Sequence, residues 1–159
     1  MTQKISPCLW FDGKAEEAMN FYMSVFKDSK VVNVMRWGDV GPGKKGAFLA
    51  GSFLLDGAEI MVLNGGPEYQ ITPGVSLFVK CTSQAEIDDY WEKLTAGGGQ
   101  PVQCGWLTDK FGVSWQIVPT VLPEMLQDKD AAKANRAMQA MMQMVKLDIA
   151  ALQKAYEGR

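Results

Sequence analysis

The chain has 159 residues, 47% of them apolar and 21% charged, enough to bury the core of one globular domain and incompatible with a disordered, collagen-like or disulfide-scaffold protein. Sixteen Lys and Arg against 18 Asp and Glu give a formal net charge of -2, so nothing attracts a phosphate backbone or an anionic lipid surface, and no nucleic acid is expected as a partner. Histidine is absent, which removes the usual general base, the Ser-His and Cys-His nucleophile pairs and the commonest transition-metal ligand.

From Ile5 to Phe11 the run ISPCLWF is apolar and ends at Asp12-Gly13, which predicts a first strand at 4–11. In AEEAMNFYMSVF the apolar residues Ala18, Met19, Phe21, Tyr22, Val25 and Phe26 recur at helical spacing, predicting a helix at 14–27. Three strand-like stretches follow, at 31–37, 47–56 and 59–64, the last two joined by Asp56-Gly57, a tight hairpin turn. After a Pro- and Gly-containing segment the pattern returns. VSLFVKC (75–81) reads as a strand, and Ser83-Gln-Ala-Glu86 is a capping box that opens a helix ending at Gly97-Gly98-Gly99. QPVQCG, a short WLTD segment and VSWQIVP (113–119) complete the second set. Both halves thus read β-α-β-β-β, a duplicated module of about 55–60 residues.

Beyond Pro119 the pattern becomes helical. Asp130 is an N-cap before AAKANRAMQAMMQMVK and Asp148 a second before IAALQKAYEG. Ala134, Met138, Met141, Met142 and Val145 form one apolar stripe, with Lys133, Arg136, Gln139 and Gln143 between them. The stripe is to be covered by the same domain or by a second subunit, or to serve as a Met-rich groove. The expected organisation is one domain over 1–119, with modules at about 4–66 and 74–119, and a helical extension over 120–159.

Cys8, Cys81 and Cys104 are far apart and contain no CxxC, so buried thiols in a reducing compartment are expected rather than a disulfide set or a zinc knuckle. The N-terminus has no run of signal-peptide length and no segment approaches the roughly 18 apolar residues that span a bilayer, so a cytoplasmic protein with no membrane partner is expected. The stretch from Gly38 to Lys45 comes within one residue of a P-loop, but Lys45 stands where a Ser or Thr would bind metal and a strand follows instead of a helix. No nucleotide cofactor is expected.

Paired modules of this order resemble the vicinal-oxygen-chelate superfamily of glyoxalase I, bleomycin-resistance proteins and extradiol dioxygenases. Within it, ISPCLWFDGKAEEAMNFY, LNGGP (63–67), VSLFVKC, YWEKL (90–94) and CGWLTDKFGVSWQIVP (104–119), with the tail helices, resemble the PhnB-like group that often carries the label 3-demethylubiquinone-9 3-methyltransferase. The resemblance implies an α+β fold in which each module curls into half of a cup. In metal-dependent members, His or Glu residues from the first and last strands of each module hold a divalent ion. By strand register those positions fall here at Pro7, Met61, Ser76 and Gln116, with Glu59 available after a shift of register; this set offers no convincing ligands, so no metal is expected. The methyltransferase label is not supported by the residues either, because no Gly-rich turn joins a parallel strand to a helix.

Strand alternation then places Pro7, Leu9, Met61, Leu63, Ser76, Phe78, Ser114 and Gln116 on the concave side, and Cys8, Trp10, Leu77, Val79, Trp115 and Ile117 toward the helices. Trp37, Tyr69 and Trp106 would close the mouth. Such a cup suits a small, largely apolar ligand held by hydrogen bonds. Asn64 either binds a ligand carbonyl or holds the Gly65-Gly66 turn, while Asp12 and Asp109 are turn caps. Cys104 lacks an activating neighbour. The expectation is a metal-free small-molecule-binding homodimer. The alternatives are an enzyme that polarises a substrate oxygen with Gln116, Ser76 and Glu59, and a resistance protein that sequesters a drug between subunits.

Overall fold

The computed structural model describes residues 3–159, which fold as two compact units, the first ending at Ile71 and the second beginning at Thr72. The first contains β1 (Cys8–Phe11), α1 (Ala15–Val25), β2 (Ser29–Arg36), β3 (Phe48–Leu55) and β4 (Ala58–Asn64). The second contains β5 (Ser76–Cys81), α2 (Gln84–Thr95), β6 (Gln100–Pro101), β7 (Trp106–Thr108) and β8 (Ser114–Pro119), then α3 (Val121–Leu126), α4 (Ala131–Met142) and α5 (Ile149–Glu157). The fold is α+β, built from paired β-α-β-β-β modules with C-terminal helices.

Each module makes one four-stranded mixed sheet, in the order β1-β4-β3-β2 and β5-β8-β7-β6. In both, the first and last long strands pair in parallel, Leu9 against Val62 and Phe78 against Gln116, while the remaining pairs are antiparallel. The β3–β4 hairpin turns at Asp56-Gly57 with φ of 46° and 79°, the doubly positive conformation that a two-residue hairpin demands. β1 is shorter than 4–11, because Pro7 has no amide proton to give a ladder. Its place is taken by a side chain: Gln3 accepts from the Glu59 amide (3.0 Å) and donates to the Glu59 carbonyl (3.1 Å).

One helix covers one face of each sheet. On α1, Tyr22 stacks on Phe53 of β3, with centroids 6.5 Å apart, and a Cβ at Gly51 would lie 3.3 Å from the Met19 sulfur. Leu9, Phe11, Ile60 and Val62 are buried on that side. In the second unit Cys81, Leu107, Trp115 and Ile117 are buried with Ile87 and Leu94 of α2.

The tail packs on the second unit. Val118, Leu122, Met125, Ala137, Leu147 and Leu152 form its core, and α3 lies between Pro119 and the predicted helices. The six-residue α3 has little periodicity to read, and its Pro123 sits in the first turn, where the missing amide proton costs nothing. Asp130 and Asp148 cap α4 and α5 as their positions predict. The apolar stripe, however, is rotated. Ala137 is fully buried, whereas Met138, Met142 and Val145 are exposed, and α4 stops at Met142 because the carbonyls of Met144 and Val145 are taken by the amides of Cys104 and Gly105 (2.9 and 2.8 Å). Arg136, assigned by its spacing to a polar face, donates to the carbonyls of Ala155 and Tyr156 and closes the end of α5. No helix among the described residues is long and apolar enough to cross a membrane.

α2 begins with Ser83 accepting from the Glu86 amide (3.2 Å), while the Glu86 carboxylate accepts from the Thr82 amide (2.6 Å) and hydroxyl (3.0 Å). The Thr82 amide, then its hydroxyl, hold the Glu86 carboxyl below its ordinary value of 4.5. A depressed folded-state pKa contributes stability that is fully present above the unfolded value and lost as pH falls through the folded one. Glu86→Gln is therefore expected to lower stability at neutral pH and to flatten the loss between pH 5 and the acid limb, as read from urea midpoints measured against pH.

Candidate functional site

In the second unit the face of the sheet away from α2 carries Ser76 and Phe78 of β5, Trp106 of β7, and Ser114, Gln116 and Val118 of β8. Phe78, Gln116 and Trp106 lie in one row across the sheet, since Gln116 is the register partner of both others. They floor a cavity of about 340 Å³ whose remaining walls are Cys104, Val118, and Leu122, Pro123, Leu126, Gln127 and Met141 of the tail. That volume lies within the range of small-molecule pockets. Gln116 Nε2 donates to Ser76 Oγ (2.9 Å), which fixes the carboxamide. Its Oε1 accepts no hydrogen bond from the described residues and is not sealed away from solvent.

The rim is shaped by backbone conformation. Cys104 has φ of 60°, unusual for a residue with a side chain and costing of order 1 kcal/mol, and Gly105 follows with φ of 81°. A Cβ at Gly105 would come within 2.9 Å of Leu147 and 3.0 Å of the Ile117 carbonyl, so the tail lies directly on this glycine. The sequence shows Cys104, Gly105 and Trp106 together, but the tail residues of the wall were not foreseen, because their contact with the sheet joins positions far apart in the chain.

In the first unit the alternation on β1 is opposite to the expected one. Leu9 is buried beneath α1, and Pro7, on the same side of the alternation, precedes the strand and accepts from the Met61 amide (2.9 Å). Neither joins the open face. That face carries Cys8 and Trp10 of β1 with Glu59, Met61 and Leu63 of β4, so Glu59 shares a face with Met61 without any shift of register. The apolar run alone does not say which of its alternating sets is buried.

Asn64 lies on the helix side and is fully engaged. Its Oδ1 accepts from the Ala15 amide (2.9 Å) and its Nδ2 donates to the Phe48 carbonyl (3.2 Å), so it supplies the cap that Lys14 cannot give α1. Trp37 packs over the glycine loop, where a Cβ at Gly41 or Gly43 would lie 2.2 or 2.1 Å from its ring. Tyr69 meets Trp10 edge to face at 5.0 Å. Asp109 is a buried brace: its carboxylate accepts from the amides of Phe111 (2.8 Å) and Val113 (3.1 Å) and from the Trp115 indole (2.8 Å).

These donors do not fit a hard divalent ion. In the second unit Gln116 offers one amide oxygen and Ser76 a neutral hydroxyl, and no three Cys, Asp or Glu residues come together among the described residues. Burial, then the charge of Glu86, pushes the Cys81 thiol up to about 12, so it supplies no thiolate at neutral pH; burial also raises Cys8. Asn64→Ala removes two hydrogen bonds and orphans an amide at the start of α1. It is expected to cost about 2 kcal/mol by urea denaturation, with the open face of the second sheet unaffected.

The model of the 3-demethylubiquinone-9 3-methyltransferase family matches residues 3–118. A PhnB protein from Bacillus cereus, provisionally described by that same activity, is 40% identical over 74% of this chain and all of its own length, with a TM-score of 0.68. A Pseudomonas aeruginosa protein shares the fold at 21% identity and a TM-score of 0.62, covering 74% of this chain and 98% of its own. The fosfomycin resistance protein FosX of Listeria monocytogenes, in its complex with Mn(II) and sulfate, shares it at 16% identity and 0.54, covering 80% and 97%. No curated protein matches the chain. With nearly three quarters of its length matched by the family model and by the Bacillus protein, the chain belongs to the PhnB-type, 3-demethylubiquinone-9 3-methyltransferase-like family.

Proposed function

We propose that the protein binds a small organic molecule over the open face of the second sheet and does so without a metal. The observation that carries this reading is Gln116 on the floor of an apolar cavity, tied to Ser76 on the neighbouring strand, an amide and a hydroxyl where a metal enzyme needs carboxylate or imidazole. The FosX structure with Mn(II) establishes only that this fold accommodates a metal in another protein. The family label gives no support for methyl transfer here: the turns from strand to helix are Asp12-Gly13-Lys14, Thr82-Ser83 and Thr120, none a glycine-rich phosphate cradle. An enzymatic role for Glu59 finds no support among the described residues either, since none of them donates a hydrogen bond to its carboxylate that would orient it as a base.

The metal-free reading is tested on untagged protein incubated with Zn²⁺, Ni²⁺, Mn²⁺ and Fe²⁺, gel-filtered and assayed by elemental mass spectrometry. No stoichiometric ion is expected. One tightly held ion per chain would return the protein to the metal-dependent branch of the superfamily.

The reading includes a homodimer in a reducing, cytoplasmic setting that keeps the three thiols free. β2 is an edge strand of eight residues with Val31, Val32, Val34 and Met35 exposed, and such an apolar edge favours a second copy of the chain. Val32 is the extra residue where the β2–β3 register shifts, so a charge there spares the ladder. Val32→Lys is expected to shift sedimentation from dimer to monomer while leaving far-UV circular dichroism unchanged, and to remove any dependence of the urea midpoint on protein concentration.

A further inference from the structure

We propose that the C-terminal extension makes the pocket selective for a neutral, largely apolar molecule bearing an N–H or O–H donor, with Leu126 and Met141 as specificity-determining residues. The proposal rests on the small-molecule-binding reading above and names the ligand class for that same site.

The walls of the cavity have two origins. Phe78, Trp106 and Gln116 lie within residues 3–118, the span matched by the family model, whereas Leu122, Leu126 and Met141 lie beyond it. The whole Bacillus PhnB chain corresponds to 74% of this one, so a quarter of this chain has no counterpart there. The extension therefore adds an apolar wall, from residues beyond the family span, to a floor that lies within it. It is held there by the amides of Cys104 and Gly105, which donate to the carbonyls of Met144 and Val145. The left-handed φ of Cys104 at the pocket edge is the conformation in which this clamp forms.

The chemistry of the ligand follows from what lines the pocket. Neither a basic nor an acidic side chain does so. The adjoining depression of about 320 Å³, which shares Phe78, Val118 and Pro123, adds one Lys and one Glu, Lys80 and Glu124, and so no net charge. A charged ligand would lose its hydration without a counter-ion. Gln116 spends one of its two Nε2 hydrogens on Ser76 and keeps Oε1 as an acceptor, and the ligand group that this oxygen can take up is an N–H or O–H donor. The apolar remainder, walled by Phe78, Trp106, Leu126 and Met141, suits an aromatic or aliphatic body.

Three probes with one ring skeleton test this: N-phenyl-1-naphthylamine, neutral with one N–H; its N-methyl derivative, without the donor; and 8-anilino-1-naphthalenesulfonate, with the donor and a negative charge. Fluorescence titration of the full chain is expected to show saturable binding of the first at one per chain. Its affinity should exceed that for either of the others by at least about tenfold, which is about 1.4 kcal/mol. Met141→Trp and Leu126→Trp, which fill the cavity, should each weaken the first probe by a similar factor. Gln116→Leu should erase the preference for N–H over N–CH₃, with circular dichroism and urea midpoints confirming that each variant folds. Saturable binding indifferent to both Trp substitutions, or equal affinity for all three probes, would overturn the assignment while leaving metal-free binding standing. No saturable binding of any probe to wild type, or binding only after a metal is added, would overturn the underlying reading as well.

Discussion

Two backbone hydrogen bonds decide the character of the second unit: the amides of Cys104 and Gly105 given to the carbonyls of Met144 and Val145. They end α4 two residues short of those carbonyls and bring Leu147 against Gly105, where no side chain would fit. Leu147 is fully buried in the tail core with Leu122, Ala137 and Leu152. Gln84 of α2 adds a second point of attachment, donating to the Leu147 carbonyl (3.1 Å) and accepting from the Ile149 amide (2.8 Å). Without the clamp, the open face of the second sheet would present Phe78, already half exposed, and Val118 to water. With it, the same face becomes the floor of a pocket.

Much of this architecture was legible in the sequence, and the exceptions share a physical cause. Local chemistry identified its elements: Asp56-Gly57 turned the hairpin, Ser83, Asp130 and Asp148 capped helices, and the alternation around Trp115 and Ile117 gave the second sheet its correct faces. β8 could be read because Ser114 and Gln116 alternate with Trp115 and Ile117. In β1 every residue from Cys8 to Phe11 is apolar, so alternation carries no signal and Leu9 was assigned to the wrong face. Asn64 shows the complementary failure. It looked like a turn or ligand residue from its neighbours Gly65 and Gly66, but its partners are Ala15 and Phe48, 49 and 16 residues away. Short-range patterns find elements, whereas a polar side chain's partner is set by tertiary approach.

The tail was misread for the same reason. Helical periodicity in a Met- and Ala-rich segment defines a broad apolar arc rather than a single line, and packing against α3 and α5 selected the edge centred on Ala137 instead of the one through Met138 and Met142. Small Ala residues at 137 and 140 let α4 approach closely, leaving the longer Met141 at the margin where it reaches the pocket. The wall of the candidate site is thus a by-product of how the helix is seated. That is why no motif announced it.

The absence of histidine and the loss of acidic donors at the expected positions have a common consequence for how this fold can work. A hard metal would organise a ligand through charge and fixed coordination geometry, at the cost of requiring carboxylates that are themselves hard to bury. Gln116 and Ser76 are both neutral and share one hydrogen bond, so Gln116 can floor an apolar cavity without a counter-ion. The remaining free oxygen then provides direction rather than strength, and affinity must come from contact area. Contact area is what the apolar helices of the tail supply: Leu122, Leu126 and Met141 enlarge the surface that a ligand could bury beside Gln116. Under the metal-free reading proposed above, the tail helices and the Gln116–Ser76 pair act together, shape and directed hydrogen bonding serving where a metal enzyme uses coordination.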